Sequence, residues 1–243
     1  MATNIKESEN GIVGSGHGYA LIHAFVQHGK GLVVDYLLDI GADIEARTSD
    51  GFTPLLLAVA LEQESVVDTL IDHGADLESV EMNGQTPLMK CSSLSLFRIA
   101  QILVNRGVNV DARDPSGKTA LMIASHFGNQ RIVQLLLDKG ADIDATCNEG
   151  FTALMCATIE VHLDVVEVLV ANGANVNIKD RYGFSAWDIS RIRREDFLGR
   201  YEISTRDLSD VPRIDHQLIE EMLRDGVDLS LSNWSLCLFL CCF

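Results

Sequence analysis

The sequence predicts an all-α protein, a solenoid of about six helix-turn-helix units joined by hairpin-like loops. Three observations carry this. Glycines recur every 33 residues at Gly18, Gly51, Gly84, Gly117, Gly150 and Gly183, opening each unit, and a second series, Gly41, Gly74, Gly107, Gly140 and Gly173, closes the helical part. Between the two series lie two short apolar runs with helical spacing, for example Leu121 to Ala124 and Ile132 to Leu137. A fixed period between about 20 and 50 residues marks a repeat array, whose units bury their apolar side chains only by stacking.

Residues 1–16 are polar and read as a flexible leader with no secretory signal. The glycine-rich stretch at 14–18 follows no strand-like run and carries no Lys-Ser/Thr, so it is not read as a phosphate loop. The first unit covers residues 17–47, with Phe25 at a position that is small elsewhere, as expected of an end unit lacking a preceding neighbour. Four regular units follow at 48–80, 81–113, 114–146 and 147–179. Each starts its first helix at a hydroxyl residue (Thr53, Thr86, Thr119, Thr152, and Ser185 in the sixth unit), which can accept a bond from an orphan helical N–H. Pro54 and Pro87 come next, at the position where a missing N–H costs least. A large residue (Leu55, Leu88, Leu121, Leu154, Trp187) is followed three positions later by a small one (Ala58, Cys91, Ala124, Ala157, Ser190), which suits helices that cross closely. The second runs are too apolar for a one-sided surface helix and must be covered on more than one side. Their closing glycines suit a left-handed helix stop.

The runs Thr-Pro-Leu-Leu at 53–56, Thr-Pro-Leu-Met at 86–89 and Thr-Ala-Leu-Met at 119–122 and 152–155, with Gly-Ala-Asp at 41–43, 74–76 and 140–142, resemble ankyrin repeats. The resemblance covers roughly residues 16–229. It departs from the family pattern in two places. The histidine that usually follows the Leu survives only as His23, and residues 91–97 replace a glycine-containing turn with Cys-Ser-Ser-Leu-Ser-Leu-Phe, which leaves the shape of that turn open.

The sixth unit, residues 180–229, is atypical: its closing Gly226 lies 53 residues after Gly173, so an insertion at about 192–213 separates its two helices. Arg191, Arg193, Arg194 and Arg200 cluster there, either to meet an acidic partner or to compensate charge at a helix C-terminus. Residues 230–243 form an apolar tail ending Trp-Ser-Leu-Cys-Leu-Phe-Leu-Cys-Cys-Phe, too short to span a bilayer, which needs about 20 residues. Three readings of it stay open: packing on the last repeat, acting as a ligand for a partner, or anchoring an adaptor at a membrane through lipidated Cys241 and Cys242.

Net charge is −16, with 35 acidic against 19 basic residues, which argues against a nucleic-acid partner. Six cysteines without a Cys-x-x-Cys pair, two of them (Cys91 and Cys156) at expected buried helical positions, suit reduced thiols in a cytoplasmic or nuclear protein. Seven histidines at different repeat phases form no metal site, and no nucleophile elbow or phosphate loop is present, so neither an enzyme nor a cofactor is expected. The acids that recur after each helix stop (Asp43 and Glu45, Asp76 and Glu78, Asp142 and Asp144) read as a structural, solvated feature of the loops, because a pair in every unit cannot be one active site.

The resemblance implies a protein or peptide partner held on a concave strip of loop tips and first-helix faces, by a chain that is monomeric alone. The candidate contacts vary against the fixed framework. Around the opening glycines stand Asp50, Phe52, Asn83, Gln85, Ser116, Lys118, Glu149, Phe151, Tyr182 and Phe184; near the ends of the first helices stand Leu61, Leu94, His126, Phe127, Ile159 and Glu160. With layers about 8–10 Å apart the strip would run roughly 40–50 Å. Apolar anchors within a polar rim suit a protein interface. Phe52, Phe151 and Phe184 could instead serve only stacking between neighbouring loops, whereas Leu61, Leu94 and Phe127 lie away from both packing rows.

Overall fold

The computed structural model describes residues 20–191; the leader, the insertion, the second helix of the sixth unit and the tail lie outside the described residues. Eleven helices in this span form five pairs and a single: α1 (Leu21–Gln27) with α2 (Gly31–Asp39), α3 (Pro54–Ala60) with α4 (Glu64–Asp72), α5 (Pro87–Leu94) with α6 (Phe97–Asn105), α7 (Ala120–His126) with α8 (Gln130–Asp138), α9 (Ala153–Ile159) with α10 (Leu163–Ala171), and α11 (Ala186–Arg191). First helices stack in one row and second helices in another, each on its counterpart in the next unit.

The caps do what the hydroxyls predict. The backbone N–H of Leu56, Met89, Met122 and Met155 donates to Thr53, Thr86, Thr119 and Thr152 at 3.3–3.4 Å, and that of Asp188 donates to Ser185 at 3.2 Å. The core fills the space between the two rows. Leu55, Leu88, Leu121 and Leu154 are each 1% exposed, and their small partners Ala58, Cys91, Ala124 and Ala157 are fully buried. From the second row come Val66, Leu70, Ile99, Leu103, Ile132, Leu136, Val165 and Leu169, all buried. Leu135, Leu137, Val168 and Val170 pack partly buried against the same core, so these helices are covered on more than one side.

The turn between paired helices repeats in every unit although its sequence does not. A left-handed residue stands at Gly29, Glu62, Ser95, Gly128 and Val161, with φ between 59° and 69°. The residue after it donates its N–H five positions back, as Leu96 does to Cys91 O at 3.0 Å and Asn129 to Ala124 O at 2.9 Å. The third unit, whose turn was open from sequence, therefore keeps the common turn, with Ser95 in the glycine place and α5 one residue longer than its counterparts. Side chains bridge successive turns: Asn129 donates to Ser92 O at 2.6 Å and His162 to His126 O at 3.0 Å.

The recurring acids bind backbone. Asp43, Asp76 and Asp142 each accept the N–H two residues on, and the second acid of each pair accepts an N–H from the next unit: Glu45 from Asp76 at 2.7 Å, Glu78 from Asn109 at 2.6 Å and Asp144 from Asn175 at 2.8 Å. Asp111 continues the series to Asp142 at 3.0 Å. These carboxylates staple unit to unit, a step beyond the solvated role the sequence suggests. The opening loops are hairpin-like, closed by Thr48 N–H to Phe52 O, Asp114 N–H to Lys118 O and Cys147 N–H to Phe151 O, each at 3.0 Å.

His23 is fully buried, with its Nε2–H donating to Phe52 O at 3.1 Å. Burial pushes its pKa below the usual 6.5, opposed by the carbonyls of Phe52, Ala46 and Ala20 and by Asp43. A folded pKa below the unfolded one means that its stabilisation is present above pH 6.5 and is lost as pH falls through the folded value, because the unfolded chain takes up the proton first. The expected result is that the stability advantage of the native protein over His23→Gln, measured by urea unfolding, narrows from pH 7.5 to pH 5.5. An advantage that widens would place a charged imidazolium in the folded state.

Candidate protein-interaction surface

The sixteen candidate residues fall on two rims of the first-helix row rather than on one continuous line. Asp50, Phe52, Asn83, Gln85, Ser116, Lys118, Glu149, Phe151, Tyr182 and Phe184 sit at the hairpins before the first helices, and Leu61, Leu94, His126, Phe127, Ile159 and Glu160 at the far helix ends. A seven-residue helix of about 10 Å separates the rims.

At the far rim, Leu61, Leu94 and Phe127 are 40%, 44% and 50% exposed and stand at equivalent positions in successive units. His126 meets the Phe127 ring edge-on, with centroids 4.9 Å apart, and its Nδ1 lies 3.7 Å from a Glu160 carboxylate oxygen. Burial lowers the His126 pKa, the Glu160 carboxylate opposes this, and Lys118 and His162 add to the lowering. Ile159 is half-buried against the core.

The hairpin rim is more engaged with the fold. Phe151 and Phe184 are half-buried against the core, while Phe52 is half-buried with the Lys90 ammonium 5.6 Å from its ring centre. Asn83 accepts the N–H of Gln85, itself half-buried, at 3.0 Å, and Ser116 is held by Asp114 at 2.7 Å. Glu149 pairs with Arg181 at 2.5 Å, and the Arg181 guanidinium lies 4.7 Å over the Tyr182 ring. Asp50, Asn83, Ser116, Lys118 and Tyr182 are exposed.

Between the rims runs a phase that sequence reasoning missed, occupied by Leu57, Lys90, Ile123 and Cys156. Lys90 is tied to the buried Glu81 carboxylate at 2.9 and 3.2 Å; a lysine where neighbouring units carry apolar residues was the available signal. Cys91 is buried, but Cys156 is only partly covered, because it stands one residue earlier in the unit than Cys91 and so shares the outward phase of Lys90. Its thiol is still pushed up to about 12 by desolvation, so it is protonated at neutral pH. Also missed was Met82 at a hairpin tip, 79% exposed.

Charge is uneven along the stack. Residues 20–80 carry eleven carboxylates against two Lys or Arg, whereas residues 81–146 carry six against seven. Among the described residues no group of His, Cys, Asp or Glu is arranged to hold a metal ion, and no helix is long and apolar enough to cross a membrane.

Paired helices in 33-residue register, closed by hairpins and presenting variable side chains on a fixed frame, define a helical-repeat interaction module. A family model of ankyrin repeats in three copies matches residues 5–81, 21–114, 76–147 and 96–180, and the chain belongs to the ankyrin-repeat family. Among solved structures it is similar to the ankyrin repeat domain of Bcl-3, described as a unique member of the IkappaB protein family, with 29% identity and a TM-score of 0.69 over 75% of this chain and 82% of that one. A search of curated proteins finds no match.

Proposed function

We propose that this chain is a non-enzymatic scaffold or adaptor that binds a partner protein across the concave first-helix face between the two rims, acting as a monomer in the cytoplasm or nucleus. One observation carries the reading: Leu61, Leu94 and Phe127 leave large apolar area in water at the same place in three successive units, where the core has no use for it. Hairpin residues Asp50, Asn83, Ser116, Lys118 and Tyr182 supply the polar rim. Ankyrin repeats are protein-interaction modules, which agrees with this use of the surface.

Leu61→Ala combined with Phe127→Ala is expected to weaken capture of the partner about tenfold or more, because central apolar anchors dominate interface energy. Helical content and melting should stay near native, since both side chains are already half in water. Pull-down with purified partner and parallel thermal melts check both halves. A large fall in melting temperature would instead assign the two residues to the core.

A further inference from the structure

On the turn edge of units two to four, the far rim borders a recess of about 560 Å³ lined by Glu62, Glu64, Phe97, Arg98, Gln101 and Arg131 among others. A smaller one of about 270 Å³ adjoins it, sharing Ser95, Phe97 and Arg131. We propose that this edge is an acid-reading site for an amphipathic helix of the partner, one carrying carboxylates seven residues apart. The inference deepens the reading above by giving the partner's chemistry, and it stands on residues that reading does not use.

Neither of the two arginines is engaged by an acid or a carbonyl among the described residues. Among the described residues Arg106 pairs with Asp72, Arg181 with Glu149, and Arg47 and Arg113 donate to backbone carbonyls. Arg98 and Arg131 have neither an ion pair nor a hydrogen bond there, and both are exposed. Each lies in the first turn of its helix, where the positive end of the helix dipole disfavours a cation. The equivalent positions elsewhere hold Leu32, Ser65 and Asp164, the last being what the dipole favours. Arg131 is also held in place, its guanidinium 4.1 Å over the Phe97 ring. Two guanidiniums at equivalent helix starts, neither in ion-pair contact with a carboxylate among the described residues, suit bound anionic groups.

Geometry selects the form of the ligand. Arg98 and Arg131 stand one unit apart, about 8–10 Å between helix layers. Seven residues of an α-helix rise about 10.5 Å and return to the same face. An extended chain covers that distance in about three residues, which point to opposite faces. Glu62 and Glu64 at the unit-two end of the recess continue the row with opposite charge. The complementary helix therefore carries acid, acid and base in seven-residue steps. The same two glutamates favour singly charged carboxylates over a phosphoryl group bearing nearly two negative charges.

The test is selection from a display library of helical peptides, randomised along one face, on the full-length protein. Enriched peptides are expected to carry acids at i and i+7 and a base at i+14, and to lose about tenfold or more in affinity by fluorescence anisotropy against Arg98→Glu/Arg131→Glu. Replacing the two acids of the peptide by lysine, with the base at i+14 kept against Glu62 and Glu64, should restore binding to that variant. No enrichment, enrichment without acidic bias, or equal binding to the variant would overturn the proposal. Tighter binding when phosphoserine replaces the two acids would overturn the choice of carboxylate. Loss in Leu61→Ala/Phe127→Ala without loss in the arginine variant would leave the scaffold reading standing and remove this one; the reverse outcome would keep the acid-reading site and remove the apolar rim.

Discussion

Gly84→Ala is expected to destabilise the protein by about 2–5 kcal/mol, well beyond the effect of the same change at Gly74. Both glycines hold left-handed backbone, at φ 80° and 86°, so both substitutions carry the cost of about 1–2 kcal/mol of placing an L-residue there. Only Gly84 adds a steric conflict. A Cβ there would sit 2.3 Å from Pro115 Cδ and 2.6 Å from Cγ, in the hairpin of the next unit, whereas a Cβ at Gly74 meets nothing within 4 Å. Overpacking against a rigid ring adds about 1–3 kcal/mol. Urea unfolding of the two variants checks the difference, and Pro115→Ala in the Gly84→Ala background should recover part of the loss through a positive coupling. Equal losses at Gly74 and Gly84 would show that the hairpins can separate without cost.

Leu103→Ala should cost a similar 2–5 kcal/mol and change the form of unfolding as well as its midpoint. Leu103 is fully buried in α6, in the middle of the second-helix row between α4 and α8. Truncation removes transfer energy and leaves a cavity. In a linear array the stability of each unit depends on its interfaces, so a lesion in the centre uncouples both halves. The expected trace is two separated transitions in circular dichroism. Leu37→Ala, in α2 of the first unit and 5% exposed, should shift the first part of a single transition. One sharp transition at lower urea in Leu103→Ala would mean that coupling between units exceeds the cavity cost.

The candidate surface was only half legible. Leu61, Leu94 and Phe127 could be found because they are large residues at a phase where neither packing row needs one. The arginines at 98 and 131 could not, since a lone Arg in a helix's first turn looks like ordinary surface charge until its lack of an acidic partner is seen. Phe151 and Phe184, for which the sequence leaves both loop stacking and partner contact open, are half-buried by the fold, as is Ile159. Whether a side chain at a given repeat phase faces water depends on what the next unit places against it.

What the sequence alone determines is the array: the period, the two helices per unit, the Thr caps, the left-handed stops and the large-small alternation of the core. All of these are local, set by backbone sterics and by spacing within 33 residues. Tertiary structure decides what depends on neighbouring units. Ser95 adopts the turn's left-handed conformation without being glycine because the packing of α5 and α6 holds it there. The acids after each helix stop become staples because the next unit brings an N–H within 3.0 Å of Glu45, Glu78, Asp111 and Asp144. Contacts 31 residues apart in sequence are set by how units stack, and stacking geometry is a property of the assembled array rather than of any one unit.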